Sequence, residues 1–138
     1  MYRKNLSKRY RQSITIEGLT QLRSVLAERM KNTKNINCDL HDILITSGSQ
    51  QALSLVALCF LDPGDTYLTC VPAYLGALQA FSAYEANCEA IPMNEEGIDI
   101  DSLRRNIERL RRVGVNPKFI YTVPTFQNPS GETMSINR

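Results

Sequence analysis

The spacing of apolar positions changes period several times along this chain, and each change marks an element. From Gly18 onward, Leu19, Leu22, Leu26 and Met30 recur near one face, with Val25 beside them, which predicts an amphipathic helix. Residues 43–46 form an unbroken apolar run rich in β-branched side chains, the pattern of a strand covered on both sides. Residues 51–61 are apolar almost all round and predict a buried helix, ended by the turn residues Asp62, Pro63, Gly64 and Asp65. The alternation then repeats. Residues 66–71 read as a strand, 76–85 as a helix, and 88–93 as a strand whose Pro92 places it near an edge or limits its pairing. Glu95, Glu96 and Gly97 turn the chain. Asp101 is placed to cap a helix carrying Leu103, Ile107 and Leu110 on one face, with Gly114 as its stop. Residues 118–123 complete a fourth strand, and "PTFQNPSG" follows.

Strands alternating with helices of this length imply βαβ units, parallel pairing and right-handed crossovers. The expected class is α/β, with helices on both faces of a mostly parallel sheet. Such sheets bind ligands beyond the carboxyl ends of their strands. Three segments leave strands at that rim: Ser47-Gly48-Ser49-Gln50, Pro72-Ala73-Tyr74 and Phe126-Gln127-Asn128-Pro129. The topology predicts that they converge.

Composition narrows this picture rather than redirecting it. The chain has 138 residues, 43% of them hydrophobic, enough for a core, and a net charge of +2 that does not point to nucleic acid or a membrane. Arg3, Lys4, Lys8, Arg9 and Arg11 precede the first acidic residue, Glu17. Residues 1–13 therefore read as a basic terminal segment, with a mitochondrial presequence as the alternative to a cytoplasmic protein. Arg104, Arg105, Arg109, Arg111 and Arg112 are interleaved with Glu108 on a helix and fit a solvated face better than a nucleic-acid surface. No apolar run has the length of a transmembrane helix. Cys38, Cys59, Cys70 and Cys88 are irregularly spaced, with Cys59 and Cys70 in apolar surroundings, and read as reduced core residues rather than a disulfide frame. Cys38-x-x-His41 has no second pair to complete a metal site.

Each of the three rim segments has an ordinary and a chemical reading. A helix start leaves backbone N–H groups without partners and favours negative charge, so Gly48, Ser49 and Gln50 could hold a phosphate; the same residues also make a plain turn and N-cap. The pattern is neither a nucleotide P-loop nor Gly-x-Gly-x-x-Gly. Tyr74 is either a core tyrosine or a flat face for a heteroaromatic ring. Asn128-Pro129 is either turn chemistry or an amide held in place to donate to a ligand oxygen, with a cis peptide as one way of fixing it.

Taken together, "ITSGSQQAL", "DPGD", "VPAY" and "TVPTFQNPSG", in this order and spacing, resemble the fold-type I pyridoxal-phosphate aminotransferases, most closely the branch containing 2-aminoadipate and kynurenine aminotransferases. "IEGLTQLRSVLAERM" resembles the helix that leads into the first motif there. The resemblance covers residues 14–138 and implies part of a three-layer α/β/α large domain. It implies pyridoxal 5′-phosphate as cofactor and an amino acid and a 2-oxo acid as substrates. Ser49 and Gln50 correspond to residues that hold the cofactor phosphate, with Gly48 setting the turn. Tyr74 corresponds to the aromatic that stacks on the pyridine ring, and Asn128 to the asparagine bonded to the ring oxygen beside the substrate carboxylate. Val71 departs from relatives that often have an acidic residue there.

The same resemblance implies a lysine that forms a Schiff base with the cofactor. The five lysines here, Lys4, Lys8, Lys31, Lys34 and Lys118, do not sit in that context. The expectation is a cofactor-binding part without the catalytic lysine, inactive alone, and a homodimer in full-length relatives. Two alternatives remain from the sequence: the sensor domain of a transcription regulator, or a non-catalytic interaction module.

Overall fold

The computed structural model describes residues 15–138, so the basic segment 1–13 lies outside the described residues. The chain divides into two compact units, Met1–Ser47 and Gly48–Arg138.

In the first unit, helix α1 spans Thr20–Lys34 and ends where Asn35 turns left-handed (φ 54°), its N–H bonded to the Met30 carbonyl. Asparagine tolerates that conformation, and Lys31 and Lys34 complement the negative end of the helix. The predicted face is not the buried one. Arg23 and Ala27 are buried, whereas Leu19, Leu22, Val25 and Met30 are 41–61% exposed. The reason is polar: the Arg23 guanidinium donates to the Leu40 carbonyl (2.7 Å) and the Thr15 hydroxyl (3.2 Å), which turns the Arg23–Ala27 stripe inward. A short 3-10 turn, Leu40–Asp42, is closed by reciprocal bonds between Asp39 and Asp42. Residues 43–46 are not a strand. They are held by a backbone bond from Ile45 to Glu17 (2.9 Å), with Ile45 packed on Gly18, where an added Cβ would lie 2.7 Å away. β-branched residues favour extension, but a strand also needs a ladder, and residues 43–46 form no ladder among the described residues.

The second unit is the α/β body. Helix α2 runs Ser49–Phe60, strand β1 Thr66–Val71, helix α3 Leu75–Ser82, strand β2 Asn87–Asn94, strand β3 Gly97–Ile98, helix α4 Ile100–Arg112 and strand β4 Ile120–Tyr121. The sheet order is β3-β2-β1-β4. β1 pairs in parallel with β2 from Thr66↔Asn87 to Val71↔Pro92, and with β4 at Leu68↔Ile120 and Thr69↔Tyr121. β3 turns back antiparallel on the end of β2. Pro92 lies at the end of the parallel ladder, where its carbonyl still accepts from Asp99 (3.0 Å). The β1–β2 pairing is therefore longer than Pro92 alone suggested.

β1 is sealed on both faces. Tyr67 packs with Ala57, Leu61, Ala77, Ala80 and Phe81 of α2 and α3. Leu68 and Cys70 pack on the other side with Ile91, Ile98 and Leu110, joined by Leu103 and Ile107 of α4. Helices thus cover both sides of a mostly parallel sheet, as the alternation of elements predicted. Three details differ from the sequence reading. α2 is helical but not buried all round: Val56, Leu58 and Phe60 are 39–62% exposed and Cys59 is exposed. α4 is capped by Asp99, whose carboxylate accepts from the Ser102 N–H (2.7 Å), while Asp101 falls in the first turn. Gly114 follows the end of α4 at φ 78°, as its predicted role as stop requires. The fourth strand is two residues long, extended by bonds from Lys118 to Thr66 and from Leu68 to Phe119. No helix among the described residues is long and apolar enough to cross a membrane.

Candidate functional site

The chain leaves β1 toward β2 through α3 on the Tyr67 face, then crosses back past β1 to β4 through α4 on the Leu68 face. β1 and β4 are parallel neighbours in the sheet, so the loops that follow them leave from the same carboxyl rim, the edge at which such sheets bind ligands. Tyr74 follows β1 at this rim. The loop carrying Asn128 follows β4.

Tyr74 is the N-cap residue of α3, partly buried against the aromatic side of the core. Its ring rests on Gly76: a Cβ there would stand 2.6 Å from the Tyr74 Cε1 and Cζ atoms and 2.7 Å from the Gln50 Oε1. From α2, the Gln50 amide donates to the Gly76 carbonyl (3.0 Å). The first and second segments therefore meet at Gly76. Its place in the first turn of α3 is explained by this contact, since glycine inside a helix otherwise costs stability.

The third segment is a closed loop. Within residues 124–134, the Met134 N–H bonds to the Pro124 carbonyl, Gln127 to the Glu132 carbonyl (2.8 Å) and Gly131 to the Gln127 carbonyl (2.6 Å). The Phe126 N–H donates to the Thr133 hydroxyl (3.2 Å), with Phe126 itself left-handed (φ 50°) and 78% exposed. Gln127 is only 3% exposed, and its amide donates to the Pro72 carbonyl (2.9 Å). Asn128 is next to it, exposed, and joined to Pro129 by a cis peptide; Val71-Pro72 is also cis. Two glutamine amides, Gln50 from the first turn of α2 and Gln127 from the loop after β4, thus hold the segment containing Tyr74, one at Gly76 and one at Pro72.

At the start of α2, Gly48 takes φ 84°, open to glycine, and no atom stands within 4 Å of where its Cβ would be. Gly48, Ser49 and Gln50 are exposed. The Gln50 side chain is engaged with Gly76, so its backbone N–H, with that of Ser49, is the group at the helix end suited to an anion. The Ser49 hydroxyl and the N–H groups of this helix start are hydrogen-bond donors of the kind that suit an anionic group. Burial, and secondarily the neighbouring Tyr74, push the Tyr121 phenol above its usual range and keep it neutral. Lys118, the one lysine of this unit, pairs with Asp65 (3.1 Å) at the amino ends of the strands, opposite the rim. Among the described residues no cluster of His, Cys, Asp or Glu could hold a metal ion.

Gly76 and Gln127 were not singled out by the sequence reading. A glycine two residues after an aromatic, inside a helical pattern, was a legible signal for the first. Nothing marked the second, because a polar loop residue is exposed by default.

A family model for aminotransferase class I and II matches residues 3–138. Aromatic-amino-acid aminotransferase 1 from Thermococcus litoralis is 45% identical over 124 residues, which is 90% of this chain and 30% of that protein. An uncharacterized HTH-type transcriptional regulator of Bacillus subtilis, YisV, is 34% identical over 122 residues, 88% of this chain and 24% of its own length. Kynurenine aminotransferase from Pyrococcus horikoshii, solved with PMP, superimposes with a TM-score of 0.89 at 40% identity, covering 98% of this chain and 33% of that one. The chain spans about a third or less of these relatives.

Proposed function

Because the chain belongs to the class I and II aminotransferases, we propose that it is the cofactor-gripping part of an enzyme that moves an amino group between an amino acid and a 2-oxo acid. The cofactor indicated for this family is pyridoxal 5′-phosphate. In this reading the α2 start, with Gly48, Ser49 and Gln50, takes the phosphate; Tyr74 supports the ring face; Asn128 donates to the ring oxygen and borders the substrate carboxylate. When bound, the cofactor supplies an electron sink for negative charge at the substrate α-carbon. What these residues contribute is orientation: charge at the helix end fixes one end of the ring, and stacking and an amide fix its plane and rotation. The supporting observation is the pair of glutamine bonds, Gln50 to Gly76 and Gln127 to Pro72, that ties all three rim segments to one short stretch. Substrate choice, the homodimer of full-length relatives and a cytoplasmic location belong to the same proposal.

The test is a titration of the chain with pyridoxal 5′-phosphate, followed by absorbance and by competition with inorganic phosphate. Asn128→Ala is expected to weaken binding and shift the ring absorption while leaving phosphate competition unchanged. Equal affinity and unshifted spectra in this variant would remove Asn128 from the site.

The match to a transcription regulator favours a second reading, a domain that senses the same cofactor or its amino acids without turnover. Assaying transamination against DNA binding separates the two.

A further inference from the structure

Gln127 combines three features that a simple loop residue does not need together. It is 97% buried, its side-chain N–H reaches a carbonyl 55 positions earlier in the chain, and its other amide atom, Oε1, is buried without a donor among the described residues. The orientation of the amide is fixed by chemistry. The Pro72 carbonyl can only accept, so the amino group must face it and Oε1 must face away. Leaving a buried acceptor unpaired is unfavourable, and a methionine of similar length would fill the same space without that cost. A half-satisfied amide therefore points to a requirement for directional registration rather than for packing alone.

The backbone of Gln127 is committed as well. Its N–H bonds to Glu132 and its carbonyl accepts from Gly131, so the side chain cannot shift without moving the turn that carries Asn128. At the other end of the bond, Pro72 lies two residues before Tyr74. Gln50 supports the opposite side of the same segment through Gly76.

Resting on the functional reading above, we infer that Gln127 is a positioning residue: it locks the Asn128 turn to the Tyr74 loop, so that the ring-oxygen donor and the stacking face are held as one body, independently of the phosphate end. Asn128 and Tyr74 are the groups set against the cofactor; Gln127 acts through them.

The experiment uses the full chain and three variants. Gln127→Glu replaces the donor with an acceptor facing the Pro72 carbonyl, Gln127→Met keeps the length without a donor, and Gln127→His restores a donor at similar reach. Each is titrated with pyridoxal 5′-phosphate and, separately, with inorganic phosphate. The induced circular dichroism of the ring is normalised to occupancy, and exchange of the Gly131 amide is followed without ligand. The Glu and Met variants should bind the cofactor on the order of tenfold more weakly, with inorganic phosphate affinity unchanged and the normalised dichroism altered. The His variant should recover both signals. Unchanged cofactor affinity and dichroism in the Glu and Met variants overturns the inference, as does an equal loss for inorganic phosphate. If Gln127→Glu does not fold, the Met and His pair decides. If the unsubstituted chain binds no pyridoxal 5′-phosphate, the functional reading fails, and Gly131 exchange still judges the lock: no acceleration in Gln127→Met sinks it.

Discussion

The two faces of β1 are both sealed from solvent, yet they are built from different materials. On one side Tyr67, Phe81, Phe119 and Tyr121 form a ring cluster, with Tyr67 and Phe81 edge to face at 4.8 Å and Phe81 within 5.3–5.6 Å of Phe119 and Tyr121. Tyr74 packs against this cluster at the rim. On the other side Leu68, Cys70, Ile91, Ile98 and Leu110 make an aliphatic core with no residue of the candidate site in it. Aromatic pairs have preferred geometries, so a change in one ring constrains its neighbours, whereas aliphatic chains accommodate by rotamer changes. Both faces thus contribute to stability, whereas only the aromatic face touches the candidate site.

Emptying each face in turn separates stability from control of the site. Phe81→Ala should cost about 3–5 kcal/mol and Leu110→Ala about 3 kcal/mol, read by denaturant unfolding. At matched folded fractions, only Phe81→Ala should also weaken cofactor binding through Tyr74; equal effects on binding would abolish the distinction. Gly76→Ala comes next. Its Cβ collides with the Tyr74 ring and Gln50, and a cost of about 1–3 kcal/mol is expected, with loss of the Gln50 bond visible in the side-chain amide resonances. Tyr74→Ala should leave the fold nearly intact and lower cofactor affinity by about 1 kcal/mol of stacking, measured by titration.

The smallest effect concerns two carboxylates that lie outside both cores. The Ser102 N–H holds the Asp99 carboxyl below the usual carboxylate range, and the Asp62 N–H, aided by Lys118, does the same for Asp65. Because both folded values lie below the unfolded ones, their contribution is complete above the ordinary aspartate range and is lost as pH falls through the folded values. Asp99→Asn should therefore flatten the acid side of a stability–pH curve and leave the neutral side shifted by a constant amount.

The sheet was the most readable part of the sequence. Residues 66–71 are legible as a strand because Tyr67, Leu68, Cys70 and Val71, with the β-branched Thr66 and Thr69, lie between the Pro63-Gly64 turn and Pro72. Residues 43–46 are also rich in β-branched side chains yet form no strand, because pairing depends on a neighbour that composition does not encode. Helical period was legible in 20–34, but the buried stripe was not, since Arg23 turns inward to reach a carbonyl and a hydropathy scale counts arginine as surface. The cap of α4 was misplaced by two residues, as Asp99 and Asp101 offer the same carboxylate and only backbone geometry selects between them. At the site, the predicted rim segments are joined by Gln50, Gly76 and Gln127, and the last of these acts through burial, a property no local pattern conveys.

The four thiols give this molecule a built-in clock. Cys59 and Cys88 are exposed, Cys38 is intermediate, and Cys70 is buried on β1, where its Sγ meets the Thr122 hydroxyl at 3.4 Å. A colorimetric thiol reagent should consume the first two quickly, Cys38 more slowly, and Cys70 only when the sheet opens. The slow phase then times global opening without any introduced label.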